Sequence, residues 1–188
     1  MAIVEIPQAG LWGGIADDIN ANFDEAGAHE AHFIAVSSDT VPISADINAL
    51  TVITGLSILA SNNGFVVDAP TGSVINTGRP IVAPVGTVSF QPDRTGGGQA
   101  NSIYIVSERS PDGLVWTKNL NSIRKVEVAN DGESFKTAVS YTDSWATGEY
   151  LRFKFYTVGG GTISFTPSSE TLEGTALTGY SFIWTFGG

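Results

Sequence analysis

The only two histidines of the chain stand three residues apart in AHEAH, residues 28–32. On one helical face, His29 and His32 would offer imidazole nitrogens to a metal, and three copies meeting on an axis would complete a ligand set. The spacing is not the four-residue step of the HExxH zinc hydrolases. Two solvated histidines in a connecting segment is the plainer reading, and no metal or other cofactor is expected. Carboxylate pairs can serve acid–base chemistry when held 5–10 Å apart. The pairs Asp131/Glu133 and Asp143/Glu149 stand in turn-like contexts that fix no such distance. The stretch QPDRTGGGQ, residues 91–99, is glycine-rich. It lacks the Lys-Ser/Thr of a phosphate loop and leads into a strand, so it predicts a hairpin turn. There is no G-x-S-x-G elbow, and both histidines lie far ahead of the predicted strands. The chain has no cysteine, which excludes disulfides, thiolate catalysis and cysteine-ligated metals. No catalytic residue is assigned, and no enzyme is expected.

Rings are a different kind of candidate. Aromatic side chains on β-sandwiches stack on sugars, fill subunit interfaces or pack the core. Trp116, Tyr141 and Trp145, with Tyr104 beside them, fall near the ends of predicted strands. The first three are candidate trimer-interface or ligand aromatics, with core packing as the plainer alternative.

The elements that must position these residues are almost all strands. Alternating, β-branched segments predict strands at 49–54, 64–68, 72–76, 86–91, 101–107, 114–119, 123–128, 135–141, 149–158, 162–166 and 178–186. Turn signals such as SNNG, APTG, SPDG, NDG and VGGG separate them. In YLRFKFY, Tyr150, Arg152, Lys154 and Tyr156 face one way and Leu151, Phe153 and Phe155 the other, the mark of a half-buried antiparallel strand. In TGYSFIWTFGG, Tyr180, Phe182, Trp184 and Phe186 alternate with Ser181, Ile183 and Thr185, so this strand is expected inside a sheet. Many short strands without intervening helices predict a mainly β fold, a jelly-roll-like antiparallel β-sandwich.

One segment breaks the pattern. In LWGGIADDINANFDE, Trp12, Ile15, Ile19 and Phe23 form a single apolar stripe at helical spacing, with Asp17, Asp18, Asp24 and Glu25 away from it. A helix of about four turns is too short to stand alone in water, so its stripe must be buried against something. The expected organisation is an N-terminal arm and helix at 1–27, a connector at 28–48 and a β head at 49–188.

The charge is uneven. Of the net −10, residues 1–78 carry nine acids and no Lys or Arg, while all nine basic residues lie at or after Arg79. Such a front half repels nucleic acid and anionic membranes and attracts a basic protein surface. No apolar run approaches the roughly 18 residues of a membrane span, and MAIVEIPQAG has neither the basic nor the apolar region of a secretory signal. Neither nucleic acid binding nor membrane insertion is expected.

Two stretches resemble known families. W-G-G-I-A-D-D-I-N-A-N-F, Trp12 to Phe23, resembles the N-terminal segment of many tailed-phage fibre and virion proteins, with Asn20, Asn22 and Phe23 matching its N-x-N-F ending. W-A-T-G-E-Y-L-R-F-K-F-Y, Trp145 to Tyr156, and the closing aromatic strand resemble the jelly rolls of phage decoration proteins, fibre heads and C1q/TNF-like trimers. The resemblance implies a homotrimeric short fibre, head fibre or capsid decoration protein of a virion, assembled in the host cytoplasm. Its partners would be other virion proteins, whether capsid, portal or tail, and copies of itself. Trp12, Ile15, Ile19, Asn20, Asn22 and Phe23 would be its docking residues. A head that binds host-surface glycan is the alternative.

Overall fold

The computed structural model describes residues 32–61, 64–78, 80–81, 85–97, 100–129, 137–142, 145–167, 169–173 and 175–187. The segment 12–23 lies outside them, as do His29, Asp131, Glu133 and Asp143. The strands are β1 (His32–Ser37), β2 (Val41–Ile43), β3 (Thr51–Val52), β4 (Ser57–Ser61), β5 (Phe65–Asp68), β6 (Ser73–Asn76), β7 (Val85–Phe90) and β8 (Pro92–Thr95). They continue with β9 (Asn101–Ser110), β10 (Thr117–Val128), β11 (Thr137–Thr142), β12 (Tyr150–Val158), β13 (Thr162–Phe165), β14 (Ser169–Leu172), β15 (Thr175–Thr178) and β16 (Phe182–Gly187).

Two antiparallel sheets make the body. One is five-stranded in the order β11-β7-β16-β1-β4, the other six-stranded in the order β10-β9-β12-β6-β5, with β3 added on β12. The chain passes repeatedly between them: β1 and β4 in the first, β5 and β6 in the second, β7 in the first, β9 and β10 in the second, β11, β12 and β16 alternating. The fold is an antiparallel β-sandwich of jelly-roll type. A small sheet β2-β13-β8 and the hairpin β14-β15 complete it.

Period-two alternation turns one row of each strand inward. On β12, Leu151, Phe153 and Phe155 are buried and Arg152, Lys154 and Tyr156 are not, as the pattern of YLRFKFY predicts. On β16, Phe182, Trp184 and Phe186 point inward, and the strand lies between β1 and β7. Phe33, Phe65, Trp145, Trp184 and Phe186 pack ring against ring at one end of the core. Phe90, Phe155, Phe165 and Phe182 pack similarly at the other.

The expected connector at 28–48 does not stand as drawn. From His32 onward it belongs to the sandwich, since β1 is an interior strand of the five-stranded sheet and β2 pairs with β13. Ser37, Ser38, Asp39, Pro42 and Ser44 punctuate two short strands, and pairing with the aromatic β16 determines the first. The two strands expected at 114–119 and 123–128 are one, β10, with a register shift between Asn119 and Arg124. The hairpin turn expected at 91–99 begins as a strand, β8, and turns at Gly96 and Gly97, both with positive φ.

Candidate functional site: the outer face of the six-stranded sheet

The outward row of β12 meets its counterpart on β9 in register, with Arg152 opposite Glu108, Lys154 opposite Val106 and Tyr156 opposite Tyr104. Across the next pairing, Lys118 of β10 faces Glu108 and Lys125 faces Tyr104. The Tyr104 and Tyr156 rings stack at 4.7 Å, nearly parallel.

A charge knot sits beside them. Glu108 is only 2% exposed. Its Oε2 accepts from Arg152 Nε at 3.0 Å and Nη2 at 2.9 Å, and from Lys154 Nζ at 3.2 Å. One carboxylate thus answers two cations, which compensates its own desolvation. The Trp116 ring covers the Arg152 guanidinium at 3.6 Å, a cation–π contact, and Trp116 Nε1 donates to the Gly113 carbonyl at 3.1 Å.

Next to the knot the register shift in β10 opens an apolar pocket. Ser122 Oγ donates to the Asn119 carbonyl at 2.7 Å and accepts from the Ser107 amide at 2.8 Å, which holds the irregular segment 119–122 against β9. The irregularity leaves Leu120 and Ile123 in solvent, Leu120 at 69% exposure. Across from them the 44–50 loop supplies Ile47 and Leu50. Asp46 shapes it, accepting from the Asn48 amide at 2.8 Å while its carbonyl accepts from the Ala49 amide at 3.0 Å. Between these aliphatics and the tyrosine pair lies a pocket of about 180 Å³ floored by Val106. A wider, polar depression of about 640 Å³ adjoins it, lined among others by Arg109, Asn119 and Glu149 and sharing Lys118 and Leu120.

At the end of this hairpin, Asp112 Oδ1 accepts from the Leu114 and Val115 amides at 2.8 and 3.0 Å and from the Ser110 hydroxyl at 2.9 Å. The Val115 and Leu114 amides and the Ser110 hydroxyl hold its carboxyl below the usual carboxylate range. The loop so braced presents Leu114 at 82% exposure.

The candidate residues fall in different places. Trp145 is 1% exposed in the core, bridged through its backbone to Ile81, with Nε1 donating to the Glu149 carbonyl at 2.8 Å. Core packing, not a ligand or interface, occupies that ring. Trp116 is half-buried on the outer face over Arg152. Tyr141 lies in β11, which ends the order of the five-stranded sheet, and its side chain is outside the described residues. Glu149, one carboxylate of the pairs considered for acid–base work, accepts from the Ala146 amide at 2.9 Å and lies 3.8 Å from Arg109. It is committed to a turn. The docking residues Trp12, Ile15, Ile19, Asn20, Asn22 and Phe23 lie outside the described residues. The sequence reading passed over Ile47, Leu50, Val106, Leu120 and Ile123. The signal for the last two was two aliphatics three apart in the polar run KNLNSIRK.

No protein-family profile matches the chain, and no curated protein matches it. Solved structures do resemble it. The Eiger TNF of S. frugiperda is 13% identical with a TM-score of 0.49, over 84% of this chain and 90% of that one. The globular domain of the zebrafish complement 1qA protein is 10% identical with a TM-score of 0.42, over 84% and 96%. Murine APRIL is 7% identical with a TM-score of 0.39, over 84% and 98%. These are likenesses of fold between C1q/TNF-like jelly-roll domains and this chain.

Proposed function

We propose that the protein is a non-enzymatic structural component of a tailed-phage particle, a homotrimeric fibre or decoration protein whose β head self-associates and whose segment 12–23 docks on another virion protein. The observation that carries self-association is the composition of the five-stranded sheet. None of its strands contains an Asp, Glu, Lys or Arg. Ile34, Thr87, Ser89, Ile183 and Thr185 form its outward row in mutual register. A solvated surface normally carries charge at a quarter or more of its positions. Five strands at about 4.8 Å and six residues at about 3.3 Å make a face of about 24 by 20 Å. Its projected area, about 480 Å², supplies over half of the roughly 800 Å² per partner of a standard interface. The resemblance of Trp145–Tyr156 to C1q/TNF-like heads supports three copies. The resemblance of Trp12–Phe23 to virion segments is what supports a phage particle in this reading.

The mass of the full chain in solution tests the assembly. A trimer is expected at micromolar concentration, and Thr87→Lys with Ile183→Lys should give folded monomers. A wild-type monomer, or a double variant that stays assembled, removes the interface. For the docking segment, Ile19→Asp with Phe23→Asp should abolish incorporation into particles while the head folds.

A glycan-binding head is the second reading, favoured by the Tyr104–Tyr156 stack and Trp116 on one face with Lys118 and Lys154. Glycan-array binding lost in Trp116→Ala would support it.

A further inference from the structure

The outer-face pocket has a rim opposite in character to the chain as a whole. The strands of its sheet hold Arg109, Lys118, Arg124, Lys125, Arg152 and Lys154, six of the nine basic residues of a chain with net charge −10. Against these stand Glu108, Glu127 and Asp68 on the strands of the same sheet, Glu149 beside Arg109 just before β12, and Asp46 on the loop. Glu108 and Glu127 are already paired with Arg152, Lys154 and Lys125. Lys118, which lines the pocket, has no hydrogen-bond or ion-pair partner among the described residues. Ile47 and Leu120 stand 60% and 69% exposed at the mouth. The pocket lining is aliphatic and aromatic apart from the lysine. Its complement is a surface with one large apolar side chain to insert, more apolar surface beside it, and carboxylates at the margin.

The chain contains such a surface. Residues 12–25 place Trp12, Ile15, Ile19 and Phe23 at helical spacing, interspersed with Asp17, Asp18, Asp24 and Glu25, with no basic residue among them. A helix of that length is marginal in water unless its apolar stripe is covered. We propose that the outer-face pocket is the seat of this chain's own segment 12–25 before assembly. One ring of the stripe enters the pocket against the Tyr104–Tyr156 pair and Val106. Leu120, Ile123 and Ile47 cover the neighbouring turns, and the carboxylates reach Lys118 and Lys125. The head then shields the docking stripe until a basic surface on the particle competes for it. The identity of the docking stripe rests on the function proposed above. The pocket and its charge do not.

The test uses the full-length protein and a carbodiimide, which joins a lysine to a carboxylate in contact with no added spacer. Peptide mass spectrometry should find Lys118 or Lys125 joined to Asp17, Asp18, Asp24 or Glu25. Amide exchange should show residues 12–25 protected at least tenfold. In Leu120→Asp with Ile123→Asp, both at exposed positions, the links and the protection should be lost while thermal unfolding of the head is retained. Links from these lysines only to acids within 32–188, an unprotected segment 12–25, or links that persist in the double variant would each overturn the proposal. An acidic sugar or another protein as the true occupant would show as an unprotected segment. The docking reading fails separately. If the links form but Ile19→Asp with Phe23→Asp still enters particles, the seat stands and the docking role falls. If the links are absent and incorporation is abolished, the reverse holds.

Discussion

Glu108 shows what a single buried carboxylate does on this face. Two cations converge on one of its oxygens, and Trp116 closes over one of them. Removing the anion leaves Arg152 and Lys154 facing each other with little water, their side chains 12% and 20% exposed. Glu108→Ala should therefore destabilise the head by about 3 kcal/mol, at the lower end of the cost of breaking a buried pair. Urea unfolding measures it, and a loss below about 1 kcal/mol would show that the two cations rehydrate freely. Asp112 makes a prediction with pH. Its folded carboxyl lies below its ordinary value because the Val115 and Leu114 amides and Ser110 donate to it. A depressed carboxylate contributes order that is fully present above its unfolded value and lost as pH falls through the folded one. The Leu114 and Val115 amide resonances should accordingly stay in place through the ordinary carboxylate range and move only at lower pH. A midpoint at or above that of a free aspartate would remove the bracing role.

At the scale of elements, two glycine loops settle how strands end. Gly97 has a φ of +78°, and a Cβ there would overlap the backbone of Gly160. A Cβ at Gly161 would overlap the Gly96 carbonyl. The turns after β8 and before β13 thus touch backbone to backbone. The buried Arg94 spans them: its Nε donates to Asn101 Oδ1 at 2.9 Å and its Nη2 to the Gly97 carbonyl. Asn101 Nδ2 in turn donates to the Gly161 carbonyl at 2.8 Å. Gly97→Ala combines left-handed strain of about 1–2 kcal/mol with that overlap. It should lower the unfolding midpoint in urea by an amount equivalent to at least about 2 kcal/mol, whereas Gly148→Ala, with open space around its Cβ, should carry the backbone strain alone. Equal losses would show that the loops can separate. RTGGG and VGGG are each visible as turns in the sequence. That they press together depends on β8 and β13 pairing, Thr95 against Thr162, from positions far apart in the chain. The same holds for β10. Its two halves alternate well enough to be read as strands, but their union and the pocket it opens follow from one register shift against β9.

For the whole molecule, charge is sorted by sheet. The five-stranded sheet is uncharged along its strands, and the six-stranded sheet holds most of the basic residues. The self-association proposed above uses the first sheet, and the proposed seat of residues 12–25 uses the second. These are different surfaces, so the variants that test them should be independent. Thr87→Lys with Ile183→Lys should change the mass of the assembly without altering protection of residues 12–25, and Leu120→Asp with Ile123→Asp should do the opposite. Coupled losses would show that one event requires the other.

The sequence alone determined the class of fold, the inward rows of β12 and β16, the lack of cysteine chemistry and the confinement of basic residues to the second part of the chain. These are properties of local alternation and composition, which survive without knowledge of partners. Tertiary structure decided that His32–Ser37 is a strand within a sheet and that Trp145 belongs to the core. It also brought Ile47, Tyr104, Leu120 and Tyr156 together around one pocket. Pairing and register set those relations over long stretches of chain, and a shift of a single residue turns a side chain to the other face of the sheet.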